Sequence, residues 1–159
     1  MLIGTDVLAR IANCEALMIG YRAYDSYATG TAYSLTASAA ALAFGTANPS
    51  ITIGVAGTYR LRGSGQLKYN GATFAANRTV TVKFRRVNNS AADLTNGSIS
   101  QITSIVTALT APFGYFVLPE IEYIASLNDT ITLFGLVSVV PTLGSLDVVE
   151  ASINAIRVA

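Results

Sequence analysis

The sequence contains no histidine and a single cysteine, Cys14, in 159 residues. Without histidine the chain lacks the commonest general base, the usual zinc ligand and any Ser-His catalytic arrangement. One cysteine cannot form an intrachain disulfide, and no imidazole is present to activate it, so Cys14 is interpreted as a small buried hydrophobic residue. These absences argue against the common hydrolytic enzymes and against a disulfide-stabilised secreted domain.

Charged residues are also scarce, at 12% of the chain against 52% hydrophobic residues, whereas about a quarter of an ordinary globular chain is charged. Such a composition is typical of a membrane protein or of a subunit that covers much of its surface against neighbours. No apolar run approaches the ~20 residues that a membrane-spanning helix needs, which favours the covered subunit and no membrane partner. The net charge of +1 provides no long-range field for nucleic acid, so no nucleic-acid partner is expected.

The stretch from Ile51 to Tyr69 has apolar residues or glycine at its odd positions and mostly small or polar residues at its even ones. This period of two predicts β-structure with one buried and one solvent-facing side. Gly57 lies in the middle and has no Cβ, so the chain can bend there and cross from one sheet to the next. We therefore predict two strands hinged at Gly57.

Other segments alternate in the same way and are separated by turn residues. One of them, Ile99–Leu109, also fits a helical stripe, but its Ile, Val and Thr content favours a strand. Pro119 removes a backbone donor, so the strand that contains it must lie at a sheet edge or carry a bulge. The predicted strands are Arg78–Val87, Ile99–Leu109, Phe113–Ile124, Thr130–Val140 and Val148–Val158. With no helix predicted after Gly20, the expected fold is all-β, an antiparallel two-sheet jelly-roll sandwich.

The first 32 residues are predicted to form a separate attachment segment ahead of a jelly-roll domain at residues 33–159. Thr5 can cap a helix from about Asp6 to Ile19, and a tyrosine-rich stretch follows. This segment either packs on its own domain or docks on another protein, since a lone helix has no obvious place in a sandwich. Tyrosine and arginine are enriched at interfaces. The candidate partner contacts are Ile11, Met18, Tyr21, Arg22, Tyr24 and Tyr27.

The predicted strand Thr130–Val140 is apolar on both of its faces. An antiparallel sheet normally leaves one face in water, so a strand that buries both faces needs a further covering surface. Another copy of the chain is the simplest cover. The candidate interface residues are Tyr115, Phe116, Leu133 and Phe134.

The best acidic pair for catalysis or cation binding is Glu120 and Glu122, which share one strand face. One strand cannot show the placement across a cleft that a glycosidase requires. Because charged side chains are mostly exposed, we interpret both as solvated surface carboxylates. Asp93, Asp129 and Asp147 lie in predicted turns without the spacing of an EF-hand. No catalytic residue, cofactor or metal site is therefore predicted.

Three stretches resemble the C1q and tumour-necrosis-factor-like jelly rolls. ITIGVAGTYRLRGSG, at residues 51–65, is similar to the Gly-Thr-Tyr strand that follows the first sheet crossing in that family. SLNDTITLFGLVS, at residues 126–138, resembles the penultimate hairpin, and VVEASINAIRVA, at residues 148–159, resembles the terminal strand. The resemblance implies a tight trimer around an apolar axis, lined here by one side of Thr130–Val140 and by aromatic neighbours such as Tyr115 or Phe116.

The resemblance also narrows the expected function. The chain has no Gly-X-Y tract, and it has no basic region before an apolar run at its start, which predicts no signal peptide. Relatives made inside the cell without collagen repeats resemble bacteriophage virion proteins. The expectation is therefore a non-enzymatic, homotrimeric head decoration or head fibre, assembled in the host cytoplasm, attached to the capsid or another virion protein and located in the virion. The alternative is the receptor-binding tip of a tail fibre, with recognition by Gly71–Asn77 and Asn88–Gly97 at the far end.

Overall fold

A computed structural model describes residues 23–74, 78–103 and 109–159. In these ranges the chain forms ten strands and no helix. The strands are β1 (Ala23–Ser34), β2 (Ala40–Ala41), β3 (Ser50–Thr52), β4 (Gly57–Thr73), β5 (Arg78–Arg86), β6 (Ala92–Thr103), β7 (Leu109–Val117), β8 (Ile121–Ala125), β9 (Thr130–Val137) and β10 (Leu143–Arg157). The predicted all-β antiparallel fold is confirmed, and the predicted helix at Asp6–Ile19 lies outside the described residues.

The strands form two antiparallel sheets of five strands each. Sheet A has the order β1-β10-β4-β7, with β8 also paired to β4. Sheet B has the order β2-β9-β5-β6, with β3 also paired to β9. Strands that are neighbours in a sheet are therefore mostly distant in sequence, as the crossing connections of a jelly roll require.

The crossing between the sheets at Gly57 is confirmed. Strand β3 ends at Thr52 in sheet B, and β4 begins at Gly57 in sheet A. Gly57 has a φ of +156°, and a Cβ there would lie 2.5 Å from the Ala159 carbonyl oxygen and 2.6 Å from Arg157 Nε. Only glycine allows the chain to pass so closely against its own C-terminal strand.

The core lies between the two sheets and is built from alternate residues of each strand. In β4 the apolar positions predicted to be buried are inside, and the arginines between them are outside. Each large aliphatic or aromatic side chain buried in this way contributes about 1.5–3 kcal/mol of transfer free energy. The central core residues are Tyr59, Leu61, Val82, Phe84, Ile131, Leu133, Leu146, Val148 and Ile153.

Strands β7 and β8 form one edge of sheet A and confirm the prediction for Pro119. Both pair with β4, and the strand is interrupted at residues 118–120. Because proline lacks the backbone donor, a break at an edge strand leaves no central ladder hydrogen bond unmade. The strand interpretation of Ile99–Leu109 is also confirmed where it is described, since β6 extends to Thr103 and β7 begins at Leu109.

The jelly roll begins earlier than the sequence analysis placed it. Strand β1 starts at Ala23, not at Tyr33, and it pairs with β10 from Ala23 opposite Ile156 to Ser34 opposite Asp147. The register shifts between Thr29 and Tyr33, and Gly30 lies within this shift with a φ of +143°. The small residues and the irregular register concealed the strand in the sequence. Residues 23–32, predicted to belong to the attachment segment, are therefore part of sheet A.

Candidate functional site

The candidate site is the outer face of sheet A, formed by the alternate side chains of its strands that point away from the core. The register aligns these side chains in transverse rows. Tyr27, Ser152, Ser64 and Val117 stand in one row across β1, β10, β4 and β7. The adjacent row contains Thr29, Glu150, Gln66 and Tyr115. Because successive side chains of a strand point to opposite sides of the sheet, the side chains that alternate with the core residues all lie on this outer face.

Large apolar and aromatic side chains are exposed on the outer face of sheet A. Tyr27 is 60% exposed, Tyr115 and Val117 are each 67% exposed, and Ile124 is 81% exposed. Ile156 adds a partly exposed aliphatic group in the same row as Arg60 and Glu122. Tyr115 and Val117 are neighbours on β7, whereas Tyr27 stands on β1 with Ser152 and Ser64 between, so the apolar groups flank a hydroxyl-lined centre. Large apolar side chains exposed on one face make that face a candidate interaction site.

The polar groups on this face already have partners within the chain. The Tyr27 hydroxyl donates to a Glu150 carboxylate oxygen at 2.6 Å, and the Gln66 amide donates to the Tyr115 hydroxyl at 2.8 Å. The hydroxyls of Ser64 and Ser152 share a hydrogen bond of 2.9 Å. Covering these groups costs less than covering unpaired ones, because each keeps a partner after water leaves.

The Tyr27–Glu150 hydrogen bond also affects the ionisation of the phenol. Tyr27 donates to a carboxylate, and this hydrogen bond, helped by limited burial and by the negative charge of Glu150, raises the pKa of Tyr27 above its ordinary value. The phenol is therefore neutral at physiological pH. Its ring is held in place by the hydrogen bond at its tip and remains available for contact on its faces.

Two neighbouring rows of the outer face of sheet A, between Val117 and Ile124, are charged, and the charges are paired. Arg62 Nε lies 2.5 Å from Glu120, and Arg60 Nε lies 3.7 Å from Glu120 and 3.8 Å from Glu122. The two acidic residues of the sequence analysis therefore form a four-residue network with two arginines. Exposed pairs of this kind contribute about 0–1 kcal/mol each, so the network balances charge more than it stabilises the fold.

The four residues predicted to form a subunit interface do not share a surface. Phe116 and Leu133 are 1% and 0% exposed and face the core, so they are removed from the predicted interface. Tyr115 lies on the outer face of sheet A, whereas Phe134 lies on the outer face of sheet B with the Arg85 guanidinium 5.2 Å from its ring centre. The sequence analysis could not separate these two faces, because each strand was considered without its sheet.

The predicted partner contacts also divide. Ile11, Met18, Tyr21 and Arg22 lie outside the described residues. Tyr24 packs against the core, with its ring 5.9 Å from the ring of Tyr59 and its hydroxyl accepting a hydrogen bond from the Gly54 N–H. Tyr24 is therefore corrected to a residue of the domain itself. Only Tyr27 of this set is seen on an exposed surface.

The two loops predicted to lie together are at opposite ends of the sandwich. The Asn70–Gly71 bend lies near the end of β4, beside the turn before β10, where Thr142 N–H donates to the Thr73 carbonyl. We refer to this as the distal end. Asn88 instead donates to the carbonyl of Asn128 at the other end, which contains Gly57 and Ala159 and is named the hinge end. A single recognition surface formed by both loops is therefore excluded.

A buried carboxylate joins the turns at the hinge end. Asp129 is fully buried and accepts hydrogen bonds from the Tyr123 hydroxyl at 2.5 Å, the Ser126 N–H at 2.8 Å and the Asn89 amide at 2.9 Å. Burial opposes its ionisation, but these hydrogen bonds and the nearby charge of Arg86 outweigh burial and hold the pKa of Asp129 below its ordinary value. The sequence analysis identified Asp129 only as a turn residue; the doublets Asn88-Asn89 and Asn128-Asp129 were the available signal.

Residues 23–74, 78–103 and 109–159 contain no group of three or more histidine, cysteine, aspartate or glutamate side chains placed to bind a metal ion. In the same ranges, no helix has the length and hydrophobicity to cross a membrane.

Comparison with known proteins gives matches only at the level of structure. No protein-family model matches the chain, and no curated protein sequence matches it significantly. The globular domain of zebrafish complement 1qA is similar in structure, with a TM-score of 0.55 and 9% identity over 87% of this chain and 98% of that domain. The Eiger TNF from S. frugiperda has a TM-score of 0.51 and 9% identity, covering 86% of this chain and 93% of that one.

A chain in the structure of infectious bursal disease virus, Gx strain, is also similar. Its TM-score is 0.51 at 12% identity, and the match covers 86% of this chain but 32% of the viral chain. At such low identities the comparisons establish the fold alone. The chain has a C1q/TNF-like jelly-roll fold, which confirms the fold that the sequence resemblance implied.

Proposed function

We propose that this protein is a structural virion protein, a homotrimeric jelly roll that decorates a bacteriophage capsid or forms a head fibre. The N-terminal residues 1–22 attach it to the capsid or to another virion protein. It has no enzymatic activity, needs no cofactor, and contacts neither nucleic acid nor membrane. The observation that carries the proposal is the outer face of sheet A.

Three properties of this face support assembly with further copies of the chain. Its exposed apolar and aromatic side chains include Tyr27, Tyr115 and Val117, and aromatic residues are enriched in interfaces. Six of its polar side chains are hydrogen-bonded to one another in three pairs, which lowers the cost of removing water from them. Its charged rows contain two arginines and two glutamates in ion pairs, so this network carries no net charge.

The virion part of the proposal has different support. The sequence stretches at residues 51–65, 126–138 and 148–159 resemble C1q and tumour-necrosis-factor-like jelly rolls, and versions of that fold made inside the cell without Gly-X-Y repeats resemble phage virion proteins. The fold is also similar to part of a chain in the structure of a virus. The scarcity of charged residues, 12% of the chain, suits a subunit that is surrounded by neighbours in a large assembly.

The pairing of Glu120 and Glu122 with Arg60 and Arg62 supports a non-enzymatic role. A glycosidase needs one carboxyl group that donates a proton and a second one across the scissile bond. Here both carboxylates are on one exposed strand edge and are held by guanidinium groups. We therefore interpret Glu120 and Glu122 as surface carboxylates that neutralise the charges of Arg60 and Arg62.

The second candidate is a receptor-binding tip of a tail fibre. Val140, in the turn before β10, and Leu143, the first residue of β10, are exposed aliphatic residues at the distal end. Such a turn provides the small apolar contact that a recognition loop uses. Counting copies in each particle separates the two roles, because decoration requires copies over the whole shell and a tip requires only a few.

The trimer is tested by sedimentation of the purified protein. We expect a trimer at micromolar concentration, and Tyr115→Asp should dissociate it into folded monomers, because a charge on a covered apolar face costs about 2 kcal/mol or more for each contact. Val140→Asp is the matched control, since it adds the same charge to a residue exposed in the turn after β9 and should leave a trimer. Circular dichroism checks the fold of each variant, and a monomeric wild-type protein would contradict the proposal.

A further inference from the structure

The large aliphatic side chains that remain exposed are concentrated at the hinge end. Of the ten large hydrophobic side chains that are exposed in the described ranges, five belong to the hinge end and two to the distal end. Single exposed hydrophobic residues are normal on a protein surface, whereas a concentration of them marks an interaction site. The five residues at the hinge end are Val87, Ile124, Leu127, Ile156 and Val158.

The backbone places these side chains at the ends of both sheets. Val158 and Ile124 are both neighbours of Thr58, one on each side of β4 in sheet A. Leu127 lies in the turn that joins β8 of sheet A to β9 of sheet B. Val87 follows β5 of sheet B, and its N–H donates to the carbonyl of the first residue of β9. Leu127 therefore stands between the aliphatic residues of the two sheets.

The turns of the hinge end carry no exposed charged side chain. They comprise residues 53–56, 87–91 and 126–129. The one charged residue within these ranges is Asp129, which is fully buried. Ion pairs with exposed charges lie on the outer faces of the two sheets instead. Because the buried centres of protein interfaces are depleted in charged residues, the composition of this end is typical of a surface that another protein covers.

Hydrogen bonds fix the turns of the hinge end against one another. The Asn88 side chain donates to the Asn128 carbonyl and accepts from the Thr130 N–H. Ser90 has a φ of +73°, which is a strained conformation for a residue other than glycine. The Arg86 guanidinium donates two hydrogen bonds to the carbonyl of Ser90 and holds it there. Turns that are already fixed lose little conformational entropy when a partner covers them.

Residues 1–22 are joined to the jelly roll at this same end. Strand β1 begins at Ala23, which lies opposite Ile156 near the end of β10. The segment to which we assign attachment is therefore connected to the apolar hinge end and not to the distal end. A virion protein that binds residues 1–22 is held close to the exposed aliphatic side chains. A contact with them then strengthens the attachment as an intramolecular step.

We propose that the hinge end of the jelly roll docks on the virion protein that binds residues 1–22, through an apolar contact centred on Leu127. This inference rests on the proposed attachment and specifies a second part of its contact surface. The partner presents an uncharged, apolar surface, because a charge covered by these aliphatic side chains would have no ion-pair partner.

Aspartate substitutions at two exposed leucines test the contact. Leu127 is 57% exposed at the hinge end, and Leu143 is 70% exposed at the distal end. Leu127→Asp should weaken binding of the full-length protein to virion particles assembled without it by about 30-fold. Leu143→Asp is the matched control and should bind as tightly as the wild-type protein, as should Leu127→Met, which keeps an apolar side chain. Sedimentation with the particles measures binding, and circular dichroism checks the fold.

Protection of an introduced thiol tests the same contact without adding a charge. The variants carry Cys14→Ser, so the introduced cysteine is the only one in the sequence. In the free protein, Leu127→Cys and Leu143→Cys should react with a maleimide at similar rates. On the particle, Leu127→Cys should react roughly 10-fold more slowly, because a covered contact excludes water and the reagent. Leu143→Cys should keep its rate.

The outcomes separate this inference from attachment through residues 1–22. If the wild-type protein binds the particles but Leu127→Asp binds equally well, the inference is overturned and the attachment stands. The same holds if Leu127→Cys stays reactive on the particle. Failure of the wild-type protein to bind overturns both proposals. Protection of Leu127→Cys in the free protein would mean that residues 1–22 or another copy covers the hinge end, which also overturns the inference.

Discussion

Asp129 is the residue whose surroundings have the clearest consequence for stability. It joins the turn that precedes β9 to the Asn88-Asn89 turn through hydrogen bonds with Tyr123, Ser126 and Asn89. These bonds are made to the charged carboxylate, and their energy is greater than that of bonds between neutral groups. A single buried side chain therefore connects the two sheets at the hinge end.

The lowered pKa of Asp129 predicts a loss of stability in acid. The folded-state pKa is below the ordinary value, so ionised Asp129 stabilises the folded protein fully above the unfolded-state pKa, near 4, and the stabilisation is lost as the pH falls through the folded-state pKa. Asp129→Asn should lower the free energy of unfolding at pH 7 by about 1.5–3 kcal/mol and reduce its decline below pH 4. Urea unfolding at several pH values measures both effects.

Asp25→Asn is the control for this prediction, because Asp25 is an exposed aspartate outside the Asp129 network. This substitution should change neither the free energy of unfolding at pH 7 nor the decline of that free energy below pH 4. An Asp129→Asn protein with the wild-type acid profile would show that other carboxylates cause the acid sensitivity.

Among the elements, strand β1 shows that part of the predicted N-terminal attachment segment belongs to sheet A. It pairs with β10 along its length and places Ala28 in the core and Tyr24 against it. Only residues 1–22 precede it. The small residues of β1 let it lie closely against β10, and the same composition made it look like a linker in the sequence.

Two truncations test the role of β1. Deleting residues 1–22 leaves the strand whole and should leave the melting temperature nearly unchanged. Deleting residues 1–29 removes the pairing of Ala23–Thr29 with Glu150–Ile156, together with the core contacts of Tyr24 and Ala28. It should cost roughly 3 kcal/mol or more of stability. Thermal denaturation of both proteins provides the comparison, and equal melting temperatures would contradict the assignment of β1 to the sheet.

At the scale of the whole molecule, the two ends of the sandwich differ. The hinge end contains the start of β1, the Asn128 turn and the C-terminal residue Ala159, whose carbonyl accepts a hydrogen bond from Thr58. The distal end presents the Asn70–Gly71 bend and the Val140 turn. A trimer built on sheet A would give the complete assembly two chemically different ends, one of them joined to residues 1–22.

This polarity leads to a prediction for attachment. The protein without residues 1–22 should remain a trimer but should no longer bind virion particles that were assembled without this protein. The full-length protein should bind those particles. Tyr21→Ala combined with Arg22→Ala should weaken this binding by roughly 2 kcal/mol if they act as interface hot spots. Sedimentation with particles measures the binding. Normal binding of the truncated trimer would place the contact on the jelly roll itself.

The sequence by itself determined the features that depend on neighbours along the chain. The alternation from Ile51 to Tyr69 set which side chains of β4 are buried, Gly57 marked the sheet crossing, and Pro119 marked an edge. Each follows from the local geometry of an extended chain, in which successive side chains point to opposite sides and proline or glycine changes the backbone options.

Only the tertiary structure decided which strands are neighbours and which faces they share. It joined β1 to β10, separated Tyr115 from Phe134 and brought Asn89 to Asp129 across a long sequence separation. The physical reason is that strand pairing and sheet stacking depend on the summed packing of the whole core. The alternation within one strand indicates that one of its faces is covered, but it does not indicate which sheet, turn or second copy of the chain covers that face.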